Sequence, residues 1–140
     1  MRIMALDYGD ARTGVAISDA SGLLVGQTQV IHQWDTERAA QAAAKLALEN
    51  GVEEIVVGFP RNMDGSEGAR AELYRSFAAR IQALTNLHVV LWDERRTTID
   101  AHRILSENGK RMKKHREQVD AVAASLILEG YLQFCANRKS

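Results

Sequence analysis

The stretch Ile3-Met4-Ala5-Leu6-Asp7-Tyr8-Gly9-Asp10-Ala11-Arg12-Thr13-Gly14-Val15-Ala16-Ile17-Ser18 reads as two short strands joined by a turn. Ile3 to Asp7 is an apolar run ending in an acid, and Gly14 to Ser18 is another. Tyr8 to Thr13 between them has the length and composition of a hairpin connection. After the Ser21-Gly22 break, Val25 to Ile31 reads as a third strand, so the chain opens with an antiparallel meander. The period then changes. Asp35 or Thr36 can cap a helix that reaches Asn50 and stops at Gly51. Its Ala39, Ala40, Ala43, Leu46 and Ala47 form a stripe of small side chains suited to close packing on a sheet. Glu54 to Phe59 is a β-branched strand ended by Pro60, and a second helix carries Leu73, Phe77, Ile81 and Leu84 on one face. His88 to Trp92 is the next strand and enters Asp93-Glu94. Thr97 followed by Asp100 resembles a capping box for a third helix ending at Asn108-Gly109. Val119, Val122, Ala123, Leu126 and Ile127 mark a last helix at the 3.6-residue period. A meander followed by strands alternating with helices predicts an α/β fold: a mixed five-stranded sheet with helices on both faces. Right-handed crossovers place the first strand centrally.

No linker or internal repeat divides the 140 residues, so residues 1–140 read as one domain. With 46% hydrophobic and 26% charged residues, the composition excludes a disordered chain. Eighteen Lys plus Arg balance eighteen Asp plus Glu, which excludes a uniformly basic coat but leaves room for a basic patch. The single cysteine, Cys135, can form neither an internal disulfide nor a cysteine-based zinc site, and reads as a packing residue. The opening Met-Arg-Ile-Met-Ala-Leu-Asp is interrupted too early for a signal peptide, and no segment approaches the ~18 apolar residues of a membrane span. The expectation is a soluble, cytoplasmic protein with no membrane partner.

Acids sit at the ends of these elements. Asp7 ends the first strand, Asp93 and Glu94 end the fifth, and Asp120 opens the last helix beside Ala123, Ala124 and Ile127. If the two strands run parallel, Asp7 and Glu94 emerge at one carboxyl edge, where α/β sheets bind ligands. Three converging carboxylates repel one another unless a cation joins them, and hard oxygen donors favour Mg²⁺ or Mn²⁺ over zinc. Such a site suits phosphodiester hydrolysis. The same residues also admit structural roles: Asp7 as a turn acceptor, Glu94 as a surface acid, Asp120 as a partner of the helix dipole. Arg12, Arg95, Thr97 and Thr98 surround the acids in sequence and suit phosphate binding through guanidinium, hydroxyl and amide groups. Thr97 can equally be a helix cap, and Arg95 an ion-pair partner. Asn62 to Ser66 reads as a loop at the same edge. Lys110-Arg111-Met112-Lys113-Lys114-His115-Arg116 is a basic run with no acid, read as a solvated loop before the last helix. Its Lys110, Arg111, Lys113 and Lys114 are expected to contact a nucleic-acid backbone without reading sequence. Trp34 and Trp92 are expected in core or edge packing.

Four blocks occur in order: Asp7-Tyr8-Gly9-Asp10-Ala11-Arg12-Thr13-Gly14-Val15-Ala16; Val57-Gly58-Phe59-Pro60 with Asn62-Met63-Asp64-Gly65-Ser66; Asp93-Glu94-Arg95-Arg96-Thr97-Thr98; and Val119-Asp120-Ala121-Val122-Ala123-Ala124. Together they resemble the YqgF family, the Holliday-junction-resolvase-like proteins described as nucleases of pre-16S ribosomal RNA. The resemblance implies an RNase H-like fold and a metal-dependent nuclease that matures the 5′ end of small-subunit ribosomal RNA, in a ribosome-assembly context. It also implies Asp7, Glu94 and Asp120 as the catalytic, metal-binding acids. One departure stands out. Many relatives in the wider RNase H-like group carry an acid on the fourth strand, where this chain has Gly58-Phe59-Pro60, so the longer Glu94 is expected to compensate. Three other readings remain open: a resolvase of branched DNA, a non-catalytic RNA-binding module, and an actin-like or sugar-kinase-like ATPase suggested by Asp7-x-Gly9 followed by Gly14.

Overall fold

A computed structural model describes residues 1–59, 70–93 and 112–139, with the side chains of the last segment described over 119–137. Three strands open the chain: β1 (Arg2–Asp7), β2 (Thr13–Ser18) and β3 (Val25–Ile31). Helix α1 (Thr36–Glu49), β4 (Val52–Phe59), α2 (Ala71–Thr85), β5 (His88–Asp93) and α3 (Met112–Lys139) follow. The helix expected from Thr97 to Asn108 lies outside the described residues, as does the loop Asn62 to Ser66.

The sheet order is β3-β2-β1-β4-β5, with β1 central as expected. β2 pairs antiparallel with both β1 and β3, while β4 runs parallel to β1 and to β5. The carboxyl ends of β1, β4 and β5 therefore share one edge. Successive side chains of a strand point to opposite faces, and the two faces are covered by different helices. Met4, Leu6, Val15, Ile17, Ile55, Val57 and Phe59 join a core with α1 and α2. Here the alanines Ala39, Ala40, Ala43 and Ala47 bring α1 close, and Phe77 and Ile81 fill the space beside it. Ile3, Ala5, Ala16, Val56 and Trp92 instead meet α3 through Ala124, Ile127, Leu128, Tyr131 and Leu132. Helix α1 is capped by Asp35, whose carboxylate accepts from the Arg38 backbone N–H at 3.0 Å. Thr36 is left to meet the Tyr8 hydroxyl at 2.7 Å.

Four expectations change. α3 starts at Met112, so Lys113 and Lys114 belong to a helix rather than a loop. Asp120 consequently lies more than two turns inside α3 rather than opening it, too far from the N-terminus for a first-turn dipole role. The buried line of α3 runs through Val119, Ala123, Ala124, Ile127, Leu128 and Tyr131, leaving Val122 and Leu126 half-buried, because the helix lies across β1, β2, β3 and β4. Trp34 is 82% exposed, since it sits in the connection between β3 and α1, whereas Trp92 is buried as expected.

Val119–Asn137 also has the length and a mean hydropathy, 1.3, at which a helix could cross a membrane. Its apolar line is the floor of the second core, and the segment keeps Asp120 and Glu129. It is placed as a core helix. The aromatic trio Trp92, Tyr131 and Phe134 anchors its far half, with ring centroids 5.5 Å apart for Trp92–Tyr131 and 5.3 Å for Trp92–Phe134. Cys135 packs, half-buried, against the same core.

The Tyr131 hydroxyl donates to Glu54 Oε1 at 2.6 Å. Burial first, and then the Glu54 carboxylate, raise its pKa well above the ordinary 10.0. A phenol harder to ionise in the folded than in the unfolded chain contributes stability that is complete below pH 10.0 and lost as pH rises beyond it. Tyr131→Phe is expected to cost about 1 kcal/mol at neutral pH and to flatten the decline above pH 10, measured by urea denaturation at stepped pH.

Candidate active site

Two of the three expected acids come together, and a glycine brings them there. Asp7 is directly opposite Gly14 in the β1–β2 register. A Cβ built on Gly14 would stand 2.0 Å from the backbone carbonyl oxygen of Asp120 and 2.6 Å from its carbonyl carbon. No side chain fits there, so α3 rests directly on the β2 backbone at the residue facing Asp7. Asp7 continues the alternation of Ile3 and Ala5 and so belongs to the α3 face. Asp120 precedes Ala123, Ala124 and Ile127, all buried against the sheet, by three, four and seven residues, so it too is on the inward side of its helix. The two acids share one face at the carboxyl edge.

Arg12 is already paired there. Its Nε donates to Asp120 Oδ2 at 2.8 Å, with the two side chains 30% and 20% exposed. The turn that presents Arg12 is tightly fixed. A Cβ on Gly9 would come 2.5 Å from the Arg12 carbonyl oxygen. On one side of the turn, Tyr8 is buried between Tyr74 and Phe77, and its carbonyl accepts from the Tyr74 hydroxyl at 3.2 Å. On the other, Asp10 takes both terminal nitrogens of Arg70, which also lies 5.8 Å over the Tyr74 ring. The strand that follows begins at the fully buried Thr13.

At the other end of the shared edge, Asp93 is opposite Phe59, and Gly58 is opposite Trp92. Phe59 belongs to the α1/α2 core and Trp92 to the α3 core, so Asp93 is on the face away from Asp7. Glu94, Arg95, Thr97, Thr98, Lys110 and Arg111 lie outside the described residues, and of Lys113 and Lys114 only the helical backbone is described. Among the described residues no three His, Cys, Asp or Glu side chains form a metal set. The two acids that are described supply carboxylate oxygens, the donor chemistry a hard divalent cation takes. Reading the sequence missed the role of Gly14 and the Asp10–Arg70 pair. Gly14 carried a signal: a glycine at a strand position otherwise suited to an apolar side chain marks a close backbone approach. Asp10 and Arg70 carried none, since sixty residues separate them.

The family model described as RuvX, Holliday junction resolvase, matches residues 1–134. Similar curated proteins include one from Halothermothrix orenii, 46% identical over 134 residues and covering 96% of each chain, named "Putative pre-16S rRNA nuclease". Another, from Ruminiclostridium cellulolyticum, bears the same name at 40% identity over the whole of both chains. Among solved structures, Thermus thermophilus RuvC superimposes with a TM-score of 0.59 at 11% identity, covering 98% of this chain and 97% of that one. The fowlpox virus resolvase, solved with Holliday junction DNA, gives 0.57 at 9% identity, covering 96% and 99%. These two likenesses concern the fold alone, an RNase H-like α/β fold shared with RuvC.

Gly14→Ala tests the close approach. The added methyl has only backbone to displace, so α3 must lift from β2. The expected cost is about 1–3 kcal/mol in chemical denaturation. The Arg12–Asp120 pair should be disturbed as well, and a wild-type crystal geometry at Asp120 in the variant would refute the constraint.

Proposed function

We propose that this chain, which belongs to the RuvX family, is a divalent-metal-dependent nuclease that hydrolyses phosphodiester bonds of precursor 16S ribosomal RNA. The observation that carries the reading is the meeting of Asp7 and Asp120 on one face across Gly14, at the edge where three parallel strands end. The names of the relatives support ribosomal RNA as substrate. Work on a ribosomal precursor would place the protein in the cytoplasm.

We assign Glu94 as the third acid. Asp93 is on the α2 face, away from Asp7, which leaves its neighbour in sequence as the candidate. Asp7, Glu94 and Asp120 would hold Mg²⁺ or Mn²⁺, which supplies Lewis-acid polarisation of the scissile phosphate and lowers the pKa of water. The residues around them orient the substrate. Arg12 and Arg95 suit paired contacts to non-bridging phosphate oxygens. Thr97 and Thr98 would add hydroxyl and amide donors. Lys110, Arg111, Lys113 and Lys114 would hold the backbone of the strand on its approach along α3. In the reaction, a water gives up a proton as its oxygen forms the new bond to phosphorus, the bond to the leaving sugar oxygen breaks, and that oxygen takes up a proton.

The test is incubation of purified protein with a defined precursor rRNA and with a four-way DNA junction, each with Mg²⁺, Mn²⁺ or chelator. Metal-dependent cleavage of the rRNA is expected. Cleavage of the junction alone would move the substrate to branched DNA, and cleavage of neither would leave an RNA-binding module. Glu94→Gln should lower cleavage by several orders of magnitude with folding and RNA binding retained, and Asp93→Asn should do much less. Full activity in Glu94→Gln would refute the assignment. Replacing Lys110, Arg111, Lys113 and Lys114 together by Ala should weaken binding across sequences. The slope of log affinity against log salt should become shallower by about 0.7–0.9 for each phosphate that is no longer neutralised.

A further inference from the structure

We propose that Arg12 is an exchangeable counterion of Asp120: it neutralises this carboxylate in the metal-free protein and gives it up to a divalent cation. The inference rests on the reading of Asp120 as a metal ligand. The geometry that points to it is the Nε–Oδ2 contact at 2.8 Å, the one ion pair of Asp120 among the described residues. Asp120 is 20% exposed and lies on the sheet face that also carries Asp7, so in the absence of a cation it would be a poorly solvated charge on a face with a second acid. Arg12 supplies the compensating charge.

The pair is built to part on one side only. Asp120 is fixed, because its own backbone is pressed on Gly14. The backbone of Arg12 is fixed by Gly9 and by the buried Thr13 that follows. What remains movable is the arginine side chain, 30% exposed. Its hold is a single Nε donation rather than the two-pronged grip that Arg70 keeps on Asp10. A cation that needs Oδ2 must displace that N–H, and two positive groups cannot share the oxygen without repulsion. Arg12 therefore competes with the metal, and removing it should tighten metal binding.

The experiment measures Mn²⁺ binding to the full chain without nucleic acid, by the electron paramagnetic resonance of free Mn²⁺, with melting curves in chelator and in Mn²⁺. Arg12→Gln is expected to bind Mn²⁺ about two- to five-fold more tightly than wild type, the scale of a partly exposed ion pair. It should melt lower in chelator and gain more from Mn²⁺. Arg12→Lys, which keeps the charge and loses the Nε contact, should fall between the two. Arg75→Gln removes an equal charge near the same edge, over the Phe59 ring and outside the turn that presents Arg12, and should leave affinity unchanged; an equal tightening there would reduce the effect to general charge and overturn the proposal. Asp120→Asn separates the proposal from the reading beneath it. If Asp120→Asn loses Mn²⁺ binding while Arg12→Gln binds as wild type or more weakly, the counterion role is wrong and the metal site stands. If Asp120→Asn binds as wild type, the metal site itself is wrong.

Discussion

The seating of α3 on Gly14 is the contact on which the candidate site depends. Every other residue type places a carbon where the Asp120 carbonyl lies. With hydrogen there, the helix reaches the sheet and its acid arrives beside the carboxyl end of β1. The far half of the helix is held independently, by Tyr131 and Phe134 around Trp92. Eleven residues separate Asp120 from Tyr131, about 16 Å along a helix. The aromatic anchor sets the direction of α3 and the glycine sets its height, so both are needed to place one carboxylate.

The two faces of the sheet divide the work. The α1/α2 face carries the larger core, in which the alanines of α1 share one cluster with Met4, Leu6, Val15 and Ile17. The α3 face is paved near the site with Ala5, Ala16 and Gly14. Small side chains there leave room for groups that project from the edge. The faces are joined at Tyr8, the residue after Asp7. Its ring lies 4.4 Å from that of Phe77 and 5.4 Å from that of Tyr74, so the end of β1 is held by the face opposite the chemistry. Substitutions in the α2 aromatics can thus disturb the site without touching it.

Much of this is legible in the chain. The meander, the alternation of strands and helices, the central first strand and the alanine stripe of α1 all follow from periodicity and turn residues, which are local signals. Asp7 and Asp120 are legible because each stands where an apolar pattern ends or is interrupted. What is not legible is what depends on distant partners. The N-terminus of α3 lies earlier than periodicity indicates, since the basic run carries charge but no apolar period to mark it as helical. Arg12 reads as a phosphate ligand, but nothing in the chain announces its pairing with Asp120, 108 residues away. Trp34 reads as a packing residue by its size, yet the β3–α1 connection offers it no core.

The choice between adjacent acids shows what register adds to sequence. Asp93 and Glu94 are chemically near-equivalent, and their order alone assigns neither to the site. Pairing fixes the parity: Trp92 is opposite Gly58 and faces α3, while Asp93 is opposite Phe59 and faces α2. That parity is the reason for proposing the residue after Asp93, and not Asp93 itself, as the third acid. Distance adds a second condition. β5 is separated from β1 by β4, so a side chain from its end must cover about 10 Å to share a cation with Asp7. Glutamate has one more methylene than aspartate for that span. The intervening strand carries Gly58 on the same face as Trp92, so β4 presents no side chain in between. Under the proposed assignment, the glycine on β4 and the glutamate that follows β5 would be two halves of one arrangement, in which reach from beyond β5 stands in for a ligand on β4.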